Sequence, residues 1–432
     1  MSKFIIQGGN TLKGDIIVSG FKNAVTPILA ASILTKEEII LHNVPLIEDV
    51  KKMISILVSM GSKIIWTDSN SLKINNLDLD PEKIDMELVS TMRSSILLMG
   101  SLIARFGKIR TKAPGGCQIG NRSMDTHFKA FKKLGIEVTF DNKYYYLKKK
   151  KDISGEVVMG EFSVTGTENI ILASALNKGE ISISIAASDP SVQDLCWFLE
   201  KMGLEINGIS THNLKIKGSN NLNGVEYYIM PDPIETGTFI ALAGTTKSKI
   251  LIKNTAPDFI KLELEKFREV GLKIDIEYLD LEANNNYSLA NIIVDGKVEL
   301  KSINKLHDMP HPGFSADLIQ PFAVLMTQAE GTSLIHDWMY DARLKYIAEL
   351  KKMGANIVVS DPHRVVIIGP SPLFGKEIYS FDLRAGATLI IAALAARGKS
   401  VIDNIYQVDR GYEALDDRLS KIGARIERVT DK

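Results

Sequence analysis

The chain has 432 residues, more than one ordinary hydrophobic core can use, and this length favours two or three domains. Hydrophobic residues make up 45% of the chain and charged residues 24%, which argues against disorder, collagen and coiled coil. The 52 Lys and Arg residues balance the 52 Asp and Glu residues, so the chain lacks the net positive field of a nucleic-acid-binding protein. An anion site must therefore be a local cluster.

No segment of the sequence is typical of a targeting signal or a membrane anchor. Polar residues return at Gln7, and the longest apolar stretch, residues 389–396, is far shorter than the roughly 20 residues that span a bilayer. We therefore expect a cytoplasmic protein without membrane insertion. The two cysteines, Cys117 and Cys196, cannot build a disulfide framework and lack the spacing of a metal site.

One pattern recurs six times along the chain. An amphipathic helix pattern ends at a glycine suited to a left-handed C-cap, and a β-rich run follows; the glycines are Gly61, Gly135, Gly203, Gly271, Gly354 and Gly423. Upstream lies a helix pattern that is apolar nearly all round, as at residues 26–34, 167–176 and 387–395, which indicates buried helices. Six such α/β units favour two globular domains of three units each, with a solenoid as the competing architecture.

The third and fourth units are separated by a run that contains two prolines, Pro231 and Pro233, and this is the expected crossing between domains. The lysine run 148–151 predicts a solvated turn without functional weight.

Two loop segments carry candidate chemistry. Cys117 lies in a loop with three glycines and a proline, where Arg122 would favour its thiolate; an incidental loop cysteine is the alternative. Cys196 lies on an apolar helix pattern and is expected to be a buried structural thiol. Lys22 and Asn23 stand at the start of the first apolar helix, where an ammonium and unpaired backbone N–H groups form an anion site, unless Lys22 is a surface lysine.

Polar residues recur at the starts of the apolar helices. Asp317 opens one of them, either as a helix cap or as a functional carboxylate, and equivalent starts carry Asn23, Arg93, Glu168, Glu235 and Arg384. Brought together, they would line an interdomain cleft. Arginines at unit boundaries suggest a small polyanionic substrate, since arginine binds carboxylates and phosphates bidentately; they are Arg93, Arg122, Arg343, Arg384 and Arg410. The sequence has no phosphate-binding glycine loop and no metal-ligand histidine spacing.

Seven motifs in this order resemble the UDP-N-acetylglucosamine 1-carboxyvinyltransferases, the peptidoglycan enolpyruvyl transferases of the EPSP synthase family. They begin at residues 19, 91, 114, 231, 312, 382 and 409, and they read SGFKNA, TMRSSI, PGGCQIG, PDPIETGT, PGF with Asp317, DLRA and DRGYE. The resemblance implies two inside-out α/β domains of three units each. Residues 22–230 would form the N-terminal domain, residues 1–21 and 231–432 the C-terminal domain, and the active site would lie in the cleft between them.

The resemblance also implies roles. Lys22, Arg122 and Arg410 would bind phosphoenolpyruvate, with Arg384 nearby; Cys117 would protonate the methylene carbon and could capture phosphoenolpyruvate or fosfomycin covalently. Asp317 would take the proton of the sugar 3-hydroxyl, and Arg343 and Asp382 match further functional positions. The positions that match UDP-sugar contacts are Asn23, Arg93, Arg122, Ser123, Met124, Asp125, Thr126, Glu161, Phe162, Ser163, Val164, Asp317 and Met339. Neither a metal nor an organic cofactor is implied, and the partners are small-molecule substrates.

The sequence departs from the family pattern near the acceptor side, at Ser315, Ala316, Pro321 and Ala342. A paralogue that acts on shikimate 3-phosphate or a nucleoside is therefore the nearest alternative. An RNA 3'-terminal phosphate cyclase and a catalytically silent homologue are further alternatives, disfavoured by the neutral net charge and by the retained Lys22, Cys117, Asp317 and Arg410.

Overall fold

The computed structural model describes residues 2–115, 123–150, 152–280 and 286–430. The described residues divide into two compact units: unit 1 comprises those within 2–19 and 231–430, and unit 2 comprises those within 20–115 and 123–230. Within the described ranges, no helix has the length and apolar character needed to cross a membrane.

The strands are short. In chain order the described strands are β1 (Ser2–Gln7), β2 (Lys13–Ile17), β3 (Ile39–His42), β4 (Lys63–Trp66), β5 (Leu72–Asn75), β6 (Lys108–Thr111), β7 (Ile136–Phe140), β8 (Tyr145–Lys149), β9 (Gly155–Val158), β10 (Glu180–Ser184), β11 (Glu205–Asn207), β12 (Asn213–Lys217), β13 (Glu226–Tyr228), β14 (Lys249–Thr255), β15 (Lys273–Tyr278), β16 (Ala290–Asp295), β17 (Lys305–His307), β18 (Gly331–His336), β19 (Ile357–Asp361), β20 (Arg364–Gly369), β21 (Glu377–Tyr379), β22 (Lys399–Asp403) and β23 (Arg425–Thr430).

The helices alternate with these strands. In chain order the described α-helices are α1 (Lys22–Ala31), α2 (Glu48–Ser59), α3 (Met86–Ser90), α4 (Leu98–Phe106), α5 (Asp125–Lys133), α6 (Val164–Ala175), α7 (Pro190–Lys201), α8 (Pro233–Thr245), α9 (Lys261–Glu269), α10 (Ala316–Met326), α11 (Tyr346–Lys352), α12 (Leu383–Ala395), α13 (Tyr406–Asp409) and α14 (Leu415–Lys421).

The described strands form six sheets, three in each unit. Unit 1 contains the sheets β21-β22-β1-β23, β15-β16-β14-β2 and β17-β18-β20-β19, and unit 2 contains β13-β3-β5-β4, β11-β12-β10-β9 and the three-stranded β6-β8-β7. Each four-stranded sheet has one parallel pair at an edge and two antiparallel pairs. This repetition confirms the predicted fold class of α/β units.

The recurrent glycines end helices, as predicted. All six adopt the left-handed conformation, with φ between 80° and 106°, and they follow α2, α5, α7, α9, α11 and α14. A side chain is strained in this conformation, which explains why glycine recurs at these turns. The strands that follow are β4, β7, β11, β15, β19 and β23.

Buried helices form the centre of each unit. In unit 1, α8, α10 and α12 pack against one another, and in unit 2, α4 packs against α1 and α6. Glycines permit the close approach: a Cβ at Gly237 of α8 would lie 2.5 Å from the Leu318 side chain of α10, and a Cβ at Gly100 of α4 would lie 2.5 Å from the Asn169 carbonyl oxygen of α6.

One local prediction is wrong. The lysine run was expected in a turn, but Lys148 and Lys149 lie in β8, the central strand of the three-stranded sheet. The side chain of Lys148 is exposed, while Leu147 beside it is buried. The alternation of buried and exposed residues, rather than the charge run, therefore determines the local structure.

Candidate active site

Asp317 lies between two arginines in unit 1. Its Oδ1 accepts a hydrogen bond from Arg343 Nη2 at 2.7 Å, and its Oδ2 accepts one from Arg384 Nε at 3.1 Å. Both arginines are almost completely buried, whereas the Asp317 side chain is 19% exposed. The carboxylate is thus fixed on two sides and still accessible to a small hydroxyl group.

The arginines are held by their own neighbours. Arg343, at the start of a 3-10 helix (Arg343–Lys345), also donates through Nη1 to the Ala316 carbonyl at 3.0 Å. Arg384 donates through Nη1 to the Tyr412 hydroxyl at 3.1 Å. Asp382 is the N-cap of α12 and accepts the backbone N–H groups of Arg384 and Ala385, which fixes the backbone from which Arg384 extends.

This arrangement determines the charge of Asp317. Burial raises the pKa of the Asp317 carboxyl, but the guanidinium groups of Arg343 and Arg384 outweigh it and hold the pKa well below its ordinary value. Burial lowers the pKa of both arginines, and nearby acidic groups more than reverse this effect. All three groups remain charged over the physiological pH range.

The possible capping role of Asp317 is wrong. Ser315 is the N-cap of α10, and its hydroxyl accepts the Asp317 backbone N–H at 3.3 Å. Asp317 lies in the first helical turn, where its negative charge also interacts favourably with the helix dipole. Its side chain is directed to the arginines.

Arg410, another candidate of unit 1, is 9% exposed and donates to Gln407 Oε1 at 3.0 Å. The preceding residue, Asp409, accepts two hydrogen bonds of 2.8 Å from Arg428, and the same guanidinium donates twice to Asp416 at 2.9 Å. Arg428 thus fastens both ends of the loop that carries Arg410.

Lys22, at the start of α1 in unit 2, is buried. Its Nζ lies 3.1 Å from Asp49 Oδ2, and the two side chains are 10% and 3% exposed. The alternative of a surface lysine is therefore wrong. Asp49 belongs to the first turn of α2, and no local sequence signal marked it as the partner of Lys22.

The structure brings together the two segments of unit 2 that match UDP-sugar positions. Residues 123–126 lead into the first turn of α5, which begins at Asp125, and residues 161–164 lead into α6, which begins at Val164. Thr126 Oγ1 donates to Glu161 Oε1 at 2.8 Å, and Ser163 caps α6 by accepting the Gly166 N–H at 3.2 Å. The ring of Phe162, which is 39% exposed, packs on the His212 ring with the centroids 4.5 Å apart.

Arg93 borders a neutral network that the sequence analysis missed. The Arg93 guanidinium lies 3.5 Å from the Ser123 carbonyl. Behind it, buried His127 contacts Asn169 Nδ2 through Nδ1 at 3.0 Å and Thr165 Oγ1 through Nε2 at 3.3 Å. Burial, with a smaller contribution from Arg93, lowers the pKa of His127 to about 3. The imidazole is therefore neutral at physiological pH.

Asn23 lies beside Lys22 in the first turn of α1 and is partly exposed. Two other polar residues at helix starts are occupied within their own units. Glu235 of unit 1 accepts both Arg418 Nη1 at 2.7 Å and Arg418 Nη2 at 2.9 Å. Glu168 of unit 2 accepts the Ser191 hydroxyl at 3.0 Å. Both carboxylates are buried, which indicates a structural role for them.

Cys117 and Arg122 lie outside the described residues. Cys196 is buried, as predicted, and burial raises the pKa of its thiol well above the ordinary value. Among the described residues, no group of three or more His, Cys, Asp or Glu side chains could hold a metal ion.

Comparison with known proteins assigns the chain to a family. The sequence model of the family described as EPSP synthase (3-phosphoshikimate 1-carboxyvinyltransferase) matches residues 6–419. The chain belongs to the EPSP synthase family. It is 42% identical to the UDP-N-acetylglucosamine 1-carboxyvinyltransferase of Treponema denticola over 99% of each chain. It is 40% identical to that of Bacteroides fragilis, over 99% of this chain and 100% of the relative.

Solved structures confirm the fold of the family. The enolpyruvyl transferase NikO from Streptomyces tendae superposes with a TM-score of 0.86 over 100% of this chain and 99% of its own, at 21% identity. EPSP synthase from Acinetobacter baumannii superposes with a TM-score of 0.77 over 100% of both chains, at 19% identity. At these identities the similarity establishes the enolpyruvyl transferase fold, and the predicted fold class is confirmed.

Proposed function

We propose that this chain transfers the enolpyruvyl group of phosphoenolpyruvate to the 3-hydroxyl of UDP-N-acetylglucosamine and releases phosphate, the first committed step of peptidoglycan synthesis. The observation that carries the proposal is the full-length similarity to relatives of that name, 42% identical over 99% of the chain. A cytoplasmic location belongs to the proposal, because both substrates are phosphorylated metabolites of that compartment.

On the donor side, Lys22, Arg122 and Arg410 bind the phosphate and carboxylate of phosphoenolpyruvate, with Arg384 nearby. Lys22 and Arg410 are buried, and the phosphate and carboxylate of the ligand would supply negative charge to cations that have little contact with water. Cys117 delivers a proton to the methylene carbon while the sugar oxygen adds to the neighbouring carbon. The product is a tetrahedral ketal, which then loses phosphate and a methyl proton to restore the enol ether.

On the acceptor side, Asp317 accepts the proton of the sugar hydroxyl. The two arginines keep this carboxylate ionised but also weaken it as a base. Binding of phosphoenolpyruvate would raise the basicity of Asp317. Its negative charge would attract Arg384 away from Asp317, and the loss of this hydrogen bond would raise the pKa of the carboxyl group. The donor thereby prepares the base for the acceptor.

The UDP-sugar is held by unit 2 residues at the starts of α5 and α6, together with Asn23, Arg93 and Met339. Backbone N–H groups at helix starts and a guanidinium beside them suit a diphosphate. The contact between Thr126 and Glu161 keeps the two helix starts in register.

Phosphate release tests the proposal directly. Purified protein with phosphoenolpyruvate should release phosphate with UDP-N-acetylglucosamine and not with shikimate 3-phosphate or UDP alone. Turnover with shikimate 3-phosphate instead would replace the acceptor, and no release with any acceptor would refute the proposed transfer.

The two cysteines provide an internal control for the role of Cys117. Fosfomycin, an epoxide phosphonate, should add to Cys117 and spare Cys196, whose thiol is buried and has a raised pKa. Peptide mass spectrometry should show one adduct, and phosphoenolpyruvate should protect against it. Labelling of Cys196, or turnover that persists in a Cys117→Ala variant, would show that Cys117 is not the acid.

A further inference from the structure

Two carboxylates meet in unit 1 at the ends of neighbouring parallel strands. In β17 and β18, His307 lies opposite His336, so the next residues, Asp308 and Asp337, leave the sheet at the same edge. Both residues are 0% exposed. Two buried negative charges at one sheet edge would repel each other strongly, so their protonation needs an explanation.

The two carboxylates have different partners. Asp308 accepts the backbone N–H of Trp338 through Oδ1 at 2.9 Å and that of Met339 through Oδ2 at 3.2 Å, so both of its oxygens act as acceptors. Among the described residues, no donor group of another residue reaches either oxygen of Asp337, and the side chain within hydrogen-bonding reach is that of Asp308. A buried carboxylate in that state would be left without stabilising donors, which native structures rarely tolerate.

We infer that Asp337 is held as a protonated acid whose O–H donates to the Asp308 carboxylate, and that this pair positions Met339 and Arg343 for the site around Asp317. The proton supplies the donor that Asp337 otherwise lacks, and it leaves the pair with one negative charge instead of two. A carboxylic acid beside a carboxylate is the stable form of such a buried pair.

The groups that face Asp337 agree with this protonation. They are Asp308, Arg343, Asp317 and Tyr346. Burial raises the pKa of Asp337, Arg343 opposes it, and Asp308 adds to the rise, so that the pKa reaches about 7.

The proton on Asp337 determines where Arg343 directs its charge. Arg343 Nη2 is bound to Asp317 at 2.7 Å, and an ionised Asp337 would compete with Asp317 for the same guanidinium. A neutral Asp337 leaves Arg343 with Asp317. Asp308 meanwhile holds the amide of Met339 in place. Asp308 and Asp337 are thus positioning residues.

The variant Asp337→Asn tests the protonation without reference to catalysis, because asparagine imitates the protonated acid and can donate to Asp308. An unfolded aspartate ionises near pH 4, whereas Asp337 in the folded chain keeps its proton up to about pH 7. The stability that this proton gives wild type is complete below about pH 4 and is lost as pH rises to about 7. The asparagine variant does not titrate there, so it keeps its stability over this pH range.

The Tm of Asp337→Asn minus that of wild type should therefore increase between pH 5 and 7.5, by roughly 4 °C, and then stay constant. A difference that is the same at pH 5 and pH 8.5 would overturn the inference.

The matched variant Asp308→Asn tests the positioning. An asparagine has one acceptor oxygen for the two amides of Trp338 and Met339, so one of these hydrogen bonds is lost. We expect a lower Tm at every pH and, for the proposed transfer, a KM for UDP-N-acetylglucosamine raised about tenfold with a smaller change in kcat. Asp337→Asn should keep the wild-type KM at pH 6. Equal kinetics for both variants would remove the positioning role, while a wild-type protein without turnover would refute the proposed function and leave the Tm test intact.

Discussion

Polar side chains on helices of the two units are held by opposite chemistry, charged in unit 1 and neutral in unit 2. In unit 1, the carboxylate of Asp317 is bound by two guanidinium groups, and all three groups are charged. In unit 2, His127 and Asn169 are both neutral and satisfy each other and nearby backbone groups. The Asn169 amide also accepts from Gly100 N–H and donates to the Ile96 carbonyl.

The two regions should respond differently when one hydrogen-bonding partner is removed. Removing one partner of a buried ion pair leaves an uncompensated charge, which is far more unfavourable than the loss of one neutral hydrogen bond. A charged cluster can respond to an anionic substrate, whereas a neutral network keeps its geometry whatever binds. We therefore assign the proposed base, Asp317, to the charged cluster and a supporting role to the neutral network.

The largest effect is expected for Asp317→Asn. Loss of the proposed base should lower kcat at least about 100-fold. The structure also predicts about 3 kcal/mol of destabilisation, because Arg343 and Arg384 would face each other without the carboxylate. Steady-state kinetics and urea unfolding measure the two effects. Near-normal turnover would remove the role of Asp317 as base.

Unit 2 also contains a buried ion pair, Lys22 with Asp49, which allows burial to be tested apart from the choice of unit. Asp49→Asn leaves the buried Lys22 without its carboxylate, so we expect about 3 kcal/mol of destabilisation and a raised KM for phosphoenolpyruvate. The neighbouring Glu48→Gln is the control, since Glu48 pairs with an exposed Lys51 and should change stability by less than about 0.5 kcal/mol. Urea denaturation of both variants distinguishes them. An equal decrease in the free energy of unfolding for both variants would mean that burial does not determine how much these ion pairs stabilise the fold.

The sequence predicts the fold well and the candidate site only in part. The repeated glycines and apolar helices are local patterns, and each depends on the residues within one unit. The partners of the site residues are not local. Asp49 lies on the helix after Lys22, and Arg343 reaches Asp317 across 26 positions of the chain. No local pattern indicates such pairs, so they become visible only in the folded structure.

The protonation states of Asp317 and Asp337 could not be predicted from the local sequence either. Both are aspartates of unit 1, yet the pKa of one is depressed and that of the other rises to about 7. The difference comes from which side chains face each carboxylate, and the sequence order of those side chains does not reveal it.

The neutral network should make the folded chain less stable in acid, because it contains a histidine that is buried without charge. His127 has a pKa of about 3 in the folded chain, while an unfolded histidine takes up a proton near pH 6.5. The folded state therefore loses stability as pH falls below 6.5, by about 3 kcal/mol at pH 4.5 from this residue. The variant His127→Gln should lack this part of the decline. Urea unfolding of both proteins at pH 6.5, 5.5 and 4.5 measures it, and parallel curves would mean that His127 is protonated in the folded chain.

The smallest effect compares two helix caps, one in each unit. Ser163 caps α6 of unit 2 through the Gly166 N–H at 3.2 Å, and Ser315 caps α10 of unit 1 through the Asp317 N–H at 3.3 Å. Replacing either serine by alanine should lower the free energy of unfolding by about 1 kcal/mol, because one N–H group at a helix start loses its acceptor.

The kinetic consequences of the two caps should differ although their stabilities match. Ser315→Ala loosens the helical turn that carries the proposed base, so kcat should fall more than KM changes. Ser163 belongs to the proposed UDP-sugar contacts, so Ser163→Ala should instead raise the KM for UDP-N-acetylglucosamine. Steady-state kinetics with each substrate varied in turn distinguish the two patterns. If both variants changed kcat and KM alike, the proposed difference between the helix start that carries the base and the helix start at Ser163 would be wrong, and the caps would act only on folding.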